Sequence, residues 1–153
     1  MKTRTATLED VHAVLECFQT LNINGIDYFN LNIVTKLIQR GGLHVAEEGG
    51  SIYGAMAVDW DEPFGNLQIF ALGCRIKGKG AGTTLIREAE EIARDFQFKA
   101  VFAESYVFYN TSTFYENLGF KQIKEWHDGF SLGRIFQKTL TNRAVEFCSV
   151  IDK

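Results

Sequence analysis

Residues 77–84 read KGKGAGTT and lie between an apolar run, LQIFAL (67–72), and a helical one, LIREAEEIARDF (85–96). Glycines 78, 80 and 82 fall within five positions, an expensive opening for a helix because glycine loses the most backbone entropy on ordering. Keeping them exposes bare amides where a helix already has donors that none of its own carbonyls can satisfy. Such amides, backed by the positive end of the helix dipole, can cradle a phosphate or diphosphate. Lys77 and Lys79 add charge beside them. Two sharper phosphate signatures fail. A Walker loop needs a lysine before its Ser/Thr, whereas Thr83 directly follows Gly82, and a dinucleotide fingerprint needs GxGxxG in a first βα unit, whereas this is GxGxG in mid-chain. The plain alternative is a flexible turn that ends a strand.

The rest of the chain limits what can surround this stretch. KTRTAT alternates like a short strand, and Thr7 with Asp10 forms a capping-box pattern ahead of an apolar stripe at Val11, Val14, Leu15, Phe18 and Leu21. A second helix carries Ile33, Val34, Leu37 and Ile38 and ends at Gly41-Gly42. LHVAEE (43–48), SIYGAMAVDW (51–60) and LQIFAL follow as strands separated by turn signals, which suggests an antiparallel meander. The helix after the glycines places Leu85, Ala89, Ile92 and Phe96 on its apolar face and spaces Arg87–Glu91 and Glu90–Arg94 one turn apart on its polar face. KAVFAES (99–105) is a buried strand, STFYENLGF a short helix, and KQIKEW and SLGRIFQKTL two closing strands. The order β-α-α-β-β-β-α-β-α-β-β describes an α+β fold with a central mixed sheet rather than regular βαβ alternation.

Composition excludes several function classes. With 46% hydrophobic and 23% charged residues the 153-residue chain suits one globular domain. No apolar run is long enough for a bilayer and the opening MKTRTATLED lacks the apolar core of a secretion signal, so a cytoplasmic protein with no membrane partner is expected. A net charge of −3 without a basic cluster argues against nucleic acid. Cys17, Cys74 and Cys148 and His12, His44 and His127 are scattered, so no metal site is expected.

LQIFALGCRIKGKGAGTTLIREAEE resembles the central acyl-CoA-binding motif of the GNAT superfamily of acyl-CoA-dependent N-acyltransferases: a strand, then Gln/Arg-x-x-Gly-x-Gly/Ala, then a helix. The pattern falls on Lys77, Gly80 and Gly82. Arg75, Gly78 and Gly80 fit it literally too, but the family places small and then apolar residues after the last glycine, as Thr83-Thr84-Leu85-Ile86 do here. Lys77 departs from the preferred Gln or Arg. STFYENLGF resembles the family's FYEKLGF signature, in the right order downstream. The likeness runs from about Thr3 to Leu140, which implies one acyltransferase domain over residues 1–140 and leaves the tail 141–153 unassigned. It implies a three-layer α/β/α fold whose mixed, mostly antiparallel sheet is splayed between strands 4 and 5.

The resemblance implies acetyl-CoA as co-substrate, without a metal, and direct passage of the acyl group to an amine of a small molecule or peptide. Backbone amides of Lys77, Gly78, Lys79, Gly80, Ala81, Gly82 and Thr83 would hold the diphosphate. Phe70, Ala71 and Leu72 match the strand end whose backbone binds the coenzyme arm, with Leu72 as the donor where negative charge develops. Tyr115 matches the family's tyrosine, a proton donor to the departing thiolate; a thiol titrates at about 8.5 and a tyrosine at about 10. A buried aromatic is its plain reading. Asn110 matches, at shortened spacing, an asparagine that bonds the pantetheine arm; a turn asparagine is its alternative. Glu104 is placed to take the acceptor's proton, ahead of Glu47, Glu48 and Asp59, against a solvated strand-end carboxylate. Cys74 reads as a packing residue. Residues 22–30, with Tyr28 and Phe29, and Trp126 are candidates for the acceptor pocket. Exposed sheet edges make a homodimer reasonable. An acyl-CoA-sensing module and a protein-interaction domain are the competing functions.

Overall fold

The structure, a computed structural model, describes residues 1–22, 28–61, 63–127, 129 and 131–140. The tail 141–153 and residues 23–27 of the suspected acceptor loop lie outside them. The elements are β1 (Lys2–Thr5), α1 (Val11–Phe18), α2 (Leu31–Arg40), β2 (Leu43–Glu48), β3 (Ser51–Asp61), β4 (Asn66–Cys74), α3 (Ala81–Asp95), β5 (Ala100–Tyr106), α4 (Ser112–Asn117), β6 (Lys121–His127) and β7 (Leu132–Thr139), in the order expected. They form a seven-stranded sheet ordered β1-β2-β3-β4-β5-β7-β6. Ladders β1–β2, β2–β3, β5–β7 and β6–β7 are antiparallel, and β4–β5 is parallel. Among the described residues no helix is long and apolar enough to cross a membrane.

By packing, the chain divides into two units: Met1–Val58 with Ala71–Glu88, and Asp59–Phe70 with the chain from Ala89 on. In the first unit the expected caps form. The Asp10 carboxylate accepts from the Thr7 amide at 2.7 Å, and Arg4 reaches both Asp10 oxygens (2.7 and 3.0 Å) and Glu47 (3.1 Å). That clasp ties β1 to the turn before α1 and to β2, and the Arg4 guanidinium holds the Asp10 carboxyl below its ordinary range. Asn30 accepts from the Ile33 amide to start α2, and Gly41, at φ +81°, ends it in the left-handed conformation.

Helices cover both faces of this part of the sheet. A Cβ on Gly73 would stand 2.2 Å from the Cys17 carbonyl oxygen, so the backbone of α1 seats directly on β4. One residue on, Cys74 faces the opposite side together with Gly54, whose missing Cβ would meet Ala81 at 3.0 Å and Leu85 at 3.1 Å. The start of α3 therefore lies close against β3, and the alternation of strand residues produces the layered arrangement.

The second unit contains the parallel ladder, Asn66–Ile69 against Ala100–Ala103. β5 also pairs with β7 along its whole length. The six-residue α4 is too short to hold itself together and is pinned by side chains. Ser105 Oγ meets Thr111 Oγ1 at 2.6 Å, Arg134 donates to Ser112 Oγ at 2.8 Å, and Lys138 Nζ donates to the Leu118 carbonyl at 2.8 Å.

Two expectations for α3 are corrected here. Glu90, assigned to the polar face, is 2% exposed and ion-paired with Lys138 of β7, while Arg94 pairs with Glu91 at 3.4 Å. Phe96 is not on the buried stripe: it follows the helix, is 56% exposed, and stacks on Phe98 with centroids 5.4 Å apart. A 3.6-residue period places faces on a helix axis, but β7 supplies the partner that buries Glu90, and the helix ends before Phe96.

His44 on β2 is buried, and among the described residues neither ring nitrogen has a hydrogen-bond partner. Burial pushes its pKa below 6.5, with Glu88 opposing. The unfolded chain therefore takes up the proton first, and stability should fall as pH drops below about 6.5. Urea midpoints between pH 7.5 and 5.5 should decline for the native protein and decline less for His44→Leu; the Asp10 clasp is lost only at lower pH. Gly73→Ala should cost about 1–3 kcal/mol by forcing α1 off β4, read as a lower urea midpoint at unchanged slope.

Candidate active site

The glycine stretch departs from β4 and enters α3 within the first unit. Gly78 and Gly80 both have φ +81°, and nothing lies within 4 Å of a Cβ built on either. They leave an open concave backbone that an L side chain would strain and fill. α3 begins at Ala81, four residues ahead of the apolar run that marked it in the sequence. Thr84 is the first amide with a helical acceptor, the Gly80 carbonyl at 3.0 Å. Ala81, Gly82 and Thr83 thus hold first-turn amides that the helix cannot satisfy. The Gly82 amide is turned toward the Cys74 thiol, a weak acceptor. Lys77 and Lys79 are exposed beside the loop. The donor set fits a diphosphate: clustered amides, a helix dipole, two ammonium groups and glycines where a Cβ would obstruct.

Phe70, Ala71 and Leu72 follow Ile69, the last β4 residue in the parallel ladder with β5, and so occupy the part of β4 beyond that ladder. Glu104 is the first β5 residue past the ladder and pairs with Ile135 on β7. Its neighbour Ser105 bonds Thr111 ahead of α4, so alternation points Glu104 to the face away from α4. Tyr115 lies on α4, 3% exposed, stacked on Phe136 (5.0 Å, 22°) and edge-on to Phe120 (5.6 Å). Asn110 ends a 3-10 turn in the left-handed conformation at φ 57°, a turn position with an exposed side chain. The structure thus gathers residues 77–83 on one loop and places Tyr115, Glu104 and Asn110 in the second unit, with Glu104 and Tyr115 on different faces of β5.

Among the described residues, neither Cys17 nor Cys74 is poised as a nucleophile. Burial pushes Cys17 up to about 11 and also raises Cys74, for which the Gly82 amide and Lys77 compensate only partly. Trp126 lies flat over Gly133, whose Cβ would come within 2.2 Å of the ring, and meets Tyr106 edge-on at 5.2 Å. Phe29 packs on Phe18 at 4.9 Å, while Tyr28 is exposed. Tyr53 carried no signal in the sequence, and Arg75 was set aside there in favour of Lys77. The Tyr53 ring on β3 has Arg75 and Lys79 each 5.4 Å from its centroid. It stands in a different strand from the loop, and no spacing rule connects the two.

A profile of the Acetyltransferase (GNAT) family matches residues 10–120. No curated protein matches the sequence. Among solved structures, the chain is similar to the ribosomal-protein-alanine N-acetyltransferase of Brucella melitensis at 20% identity and TM-score 0.75, covering 92% of this chain and all of that one. Ard1 of Thermoplasma volcanium is similar at 16% identity and TM-score 0.77, covering 92% and 98%. The yncA protein of Salmonella typhimurium, solved with its cofactor acetyl-CoA, is similar at 19% identity and TM-score 0.74, covering 96% and 98%. These likenesses fix the fold, and the profile, spanning most of the chain from the turn before α1 to Phe120 just ahead of β6, shows that the protein belongs to the GNAT family of acetyltransferases, enzymes that draw their acyl group from an acyl-coenzyme A.

Proposed function

We propose that the chain moves an acetyl group from acetyl-CoA to a primary amine of a small molecule or peptide by direct attack, within one domain over residues 1–140 of a cytoplasmic protein. The observation that carries this reading is the open loop at Gly78 and Gly80 leading into the head of α3, where the helix offers the Ala81 and Thr83 amides no acceptor. When bound, acetyl-CoA supplies the activated acyl group as a thioester. The amides of Lys77 to Thr83 hold its diphosphate, with the ammonium groups of Lys77 and Lys79 adding charge. The backbone of Phe70, Ala71 and Leu72 orients the coenzyme arm, and the Leu72 amide donates to the thioester oxygen, where a fixed dipole is most effective. Asn110 adds a contact to that arm.

Tyr115 returns a proton to the sulfur. Its ring is immobilised by Phe136 and Phe120, which favours a fixed hydroxyl. Glu104, on the opposite face of β5, takes the proton of the incoming ammonium, so donor and acceptor of protons serve different sides of the reacting centre. The thiols of Cys17 and Cys74 are held protonated and take no part, consistent with direct transfer. The outer strands β1 and β6 offer edges for a homodimer.

Release of free thiol from acetyl-CoA over polyamines, amino acids, aminoglycosides and peptide N-termini tests the reading. The panel includes peptides because the Brucella protein is named for a ribosomal-protein alanine. At least one acceptor should support turnover; binding of coenzyme A without thiol release would mark a sensor, and no binding at millimolar coenzyme would end both readings. Tyr115→Phe keeps the ring stack and should lower kcat by about 10²-fold with coenzyme A affinity nearly unchanged. An unaltered kcat removes the acid role. Gly80→Ala, forced to a φ of +81°, should weaken coenzyme A binding roughly tenfold or more in calorimetry and cost about 1–2 kcal/mol of stability.

A further inference from the structure

Tyr115 is held by two side chains of one strand. Phe136 and Lys138 alternate with Gln137 on β7 and so share the side that faces α4. The Phe136 ring lies nearly parallel to that of Tyr115, at 22° with centroids 5.0 Å apart. A stacked contact fixes the plane of a ring and tolerates lateral offset, so it leaves the ring free to slide. Lys138 supplies the directional restraint. Its ammonium donates at 2.8 Å to the carbonyl of Leu118, the C-cap of α4, and pairs with the buried Glu90 carboxylate of α3. Gly119 makes room for it: the backbone turns at φ +90°, and a Cβ there would stand 3.3 Å from Lys138 Cε. The amides of Leu118 and Phe120 both donate to the Tyr115 carbonyl, at 3.1 and 3.0 Å. The ammonium thus reaches the Tyr115 backbone through Leu118 alone.

We propose that Lys138 is a positioning residue for the proton donor: by tying the end of α4 to α3 and β7, it sets where the Tyr115 hydroxyl meets the coenzyme sulfur. The inference rests on the assignment of Tyr115 as the acid. Proton transfer needs heavy atoms within about 2.6–3.2 Å, and a misplacement of about 1 Å can cost about 10²-fold. A helix of six residues does not hold such a tolerance unaided. Lys138 acts through Leu118 and α4, not on the coenzyme itself.

A hydroxyl placed to return a proton to sulfur also donates to the thiolate of free coenzyme A and lowers the pKa of the bound thiol. The ultraviolet difference absorbance of the thiolate reads this without an acceptor amine. Coenzyme A bound to the native protein should titrate about 1 unit lower than when bound to Tyr115→Phe. Lys138→Met should abolish most of that difference, with coenzyme A affinity at neutral pH nearly unchanged. Added to Tyr115→Phe, the same substitution should alter the titration little, because the hydroxyl it positions is gone. Lys138→Met strands the buried Glu90 carboxylate, so the pair Lys138→Met with Glu90→Gln, which removes both charges, is measured beside it and should titrate alike. Equal titration with the native protein and Tyr115→Phe overturns the acid assignment and this inference with it. If those two differ but the Lys138 variants titrate like the native protein, the positioning role alone is overturned. A Lys138 effect that persists undiminished in Tyr115→Phe overturns it too, since a charge acting at a distance would give that result. Failure to bind coenzyme A overturns the coenzyme reading itself.

Discussion

The first-turn amides of α3 cannot be satisfied by their own helix, and the start of the helix is held by contacts from elsewhere in the first unit. Thr84 is the first to find a carbonyl, at Gly80, and the residues before it depend on glycines that accept a left-handed backbone. A helix start of this kind is poor in stability and rich in donors. It persists because α3 is fastened elsewhere: Ala81 and Leu85 press onto the bare backbone of Gly54, and Thr3 bonds Glu88 at 2.9 Å. These contacts hold the body of the helix, and its first-turn amides have no acceptor within the helix.

The parallel ladder between β4 and β5 is the second constraint. It spans only Asn66–Ile69 with Ala100–Ala103, so the backbone of Phe70 to Leu72 continues past it. A strand released from one neighbour has amide and carbonyl groups to offer to something other than a strand. That is the physical content of assigning the coenzyme arm to those three residues. Glu104 lies just past the ladder on the other strand, while Glu47 is held by the Arg4 clasp at 3.1 Å.

Tyr115 depends on ties that have little to do with its own helix. α4 has six residues, and its position is set by Ser105–Thr111, Arg134–Ser112 and Lys138–Leu118. Lys138 joins this set to α3 through the buried Glu90. A buried ion pair contributes little net stability because both charges lose their water, yet removing one partner is costly. Its value here is positional: one ammonium fixes α4 and α3 against β7.

Local chemistry made much of this legible in advance. The Thr7–Asp10 capping box, the Gly41 cap, the turn-bounded strands β2 to β4 and the glycine-to-helix transition each depend on neighbours a few residues away, and each formed as expected. FYENLG and KGKGAG carried the family for the same reason, since a glycine-rich helix start and a tyrosine on a short helix are written in contiguous residues. Where a partner came from a distant strand, the pattern misled. Glu90 reads as solvent-facing until β7 brings Lys138 to it, and Phe96 reads as core until the helix stops short of it. Tyr53 carried no signal at all, because a ring 22 positions before Arg75 meets that guanidinium only when β3 and the end of β4 lie side by side. The sequence by itself determined the elements, their order and the glycine-rich entry into α3, all set by short-range hydrogen bonding and steric preference. Tertiary structure alone decided which charges are buried, which rings steer them and which faces the candidate acid and base occupy, because those follow from pairing between strands remote in the chain.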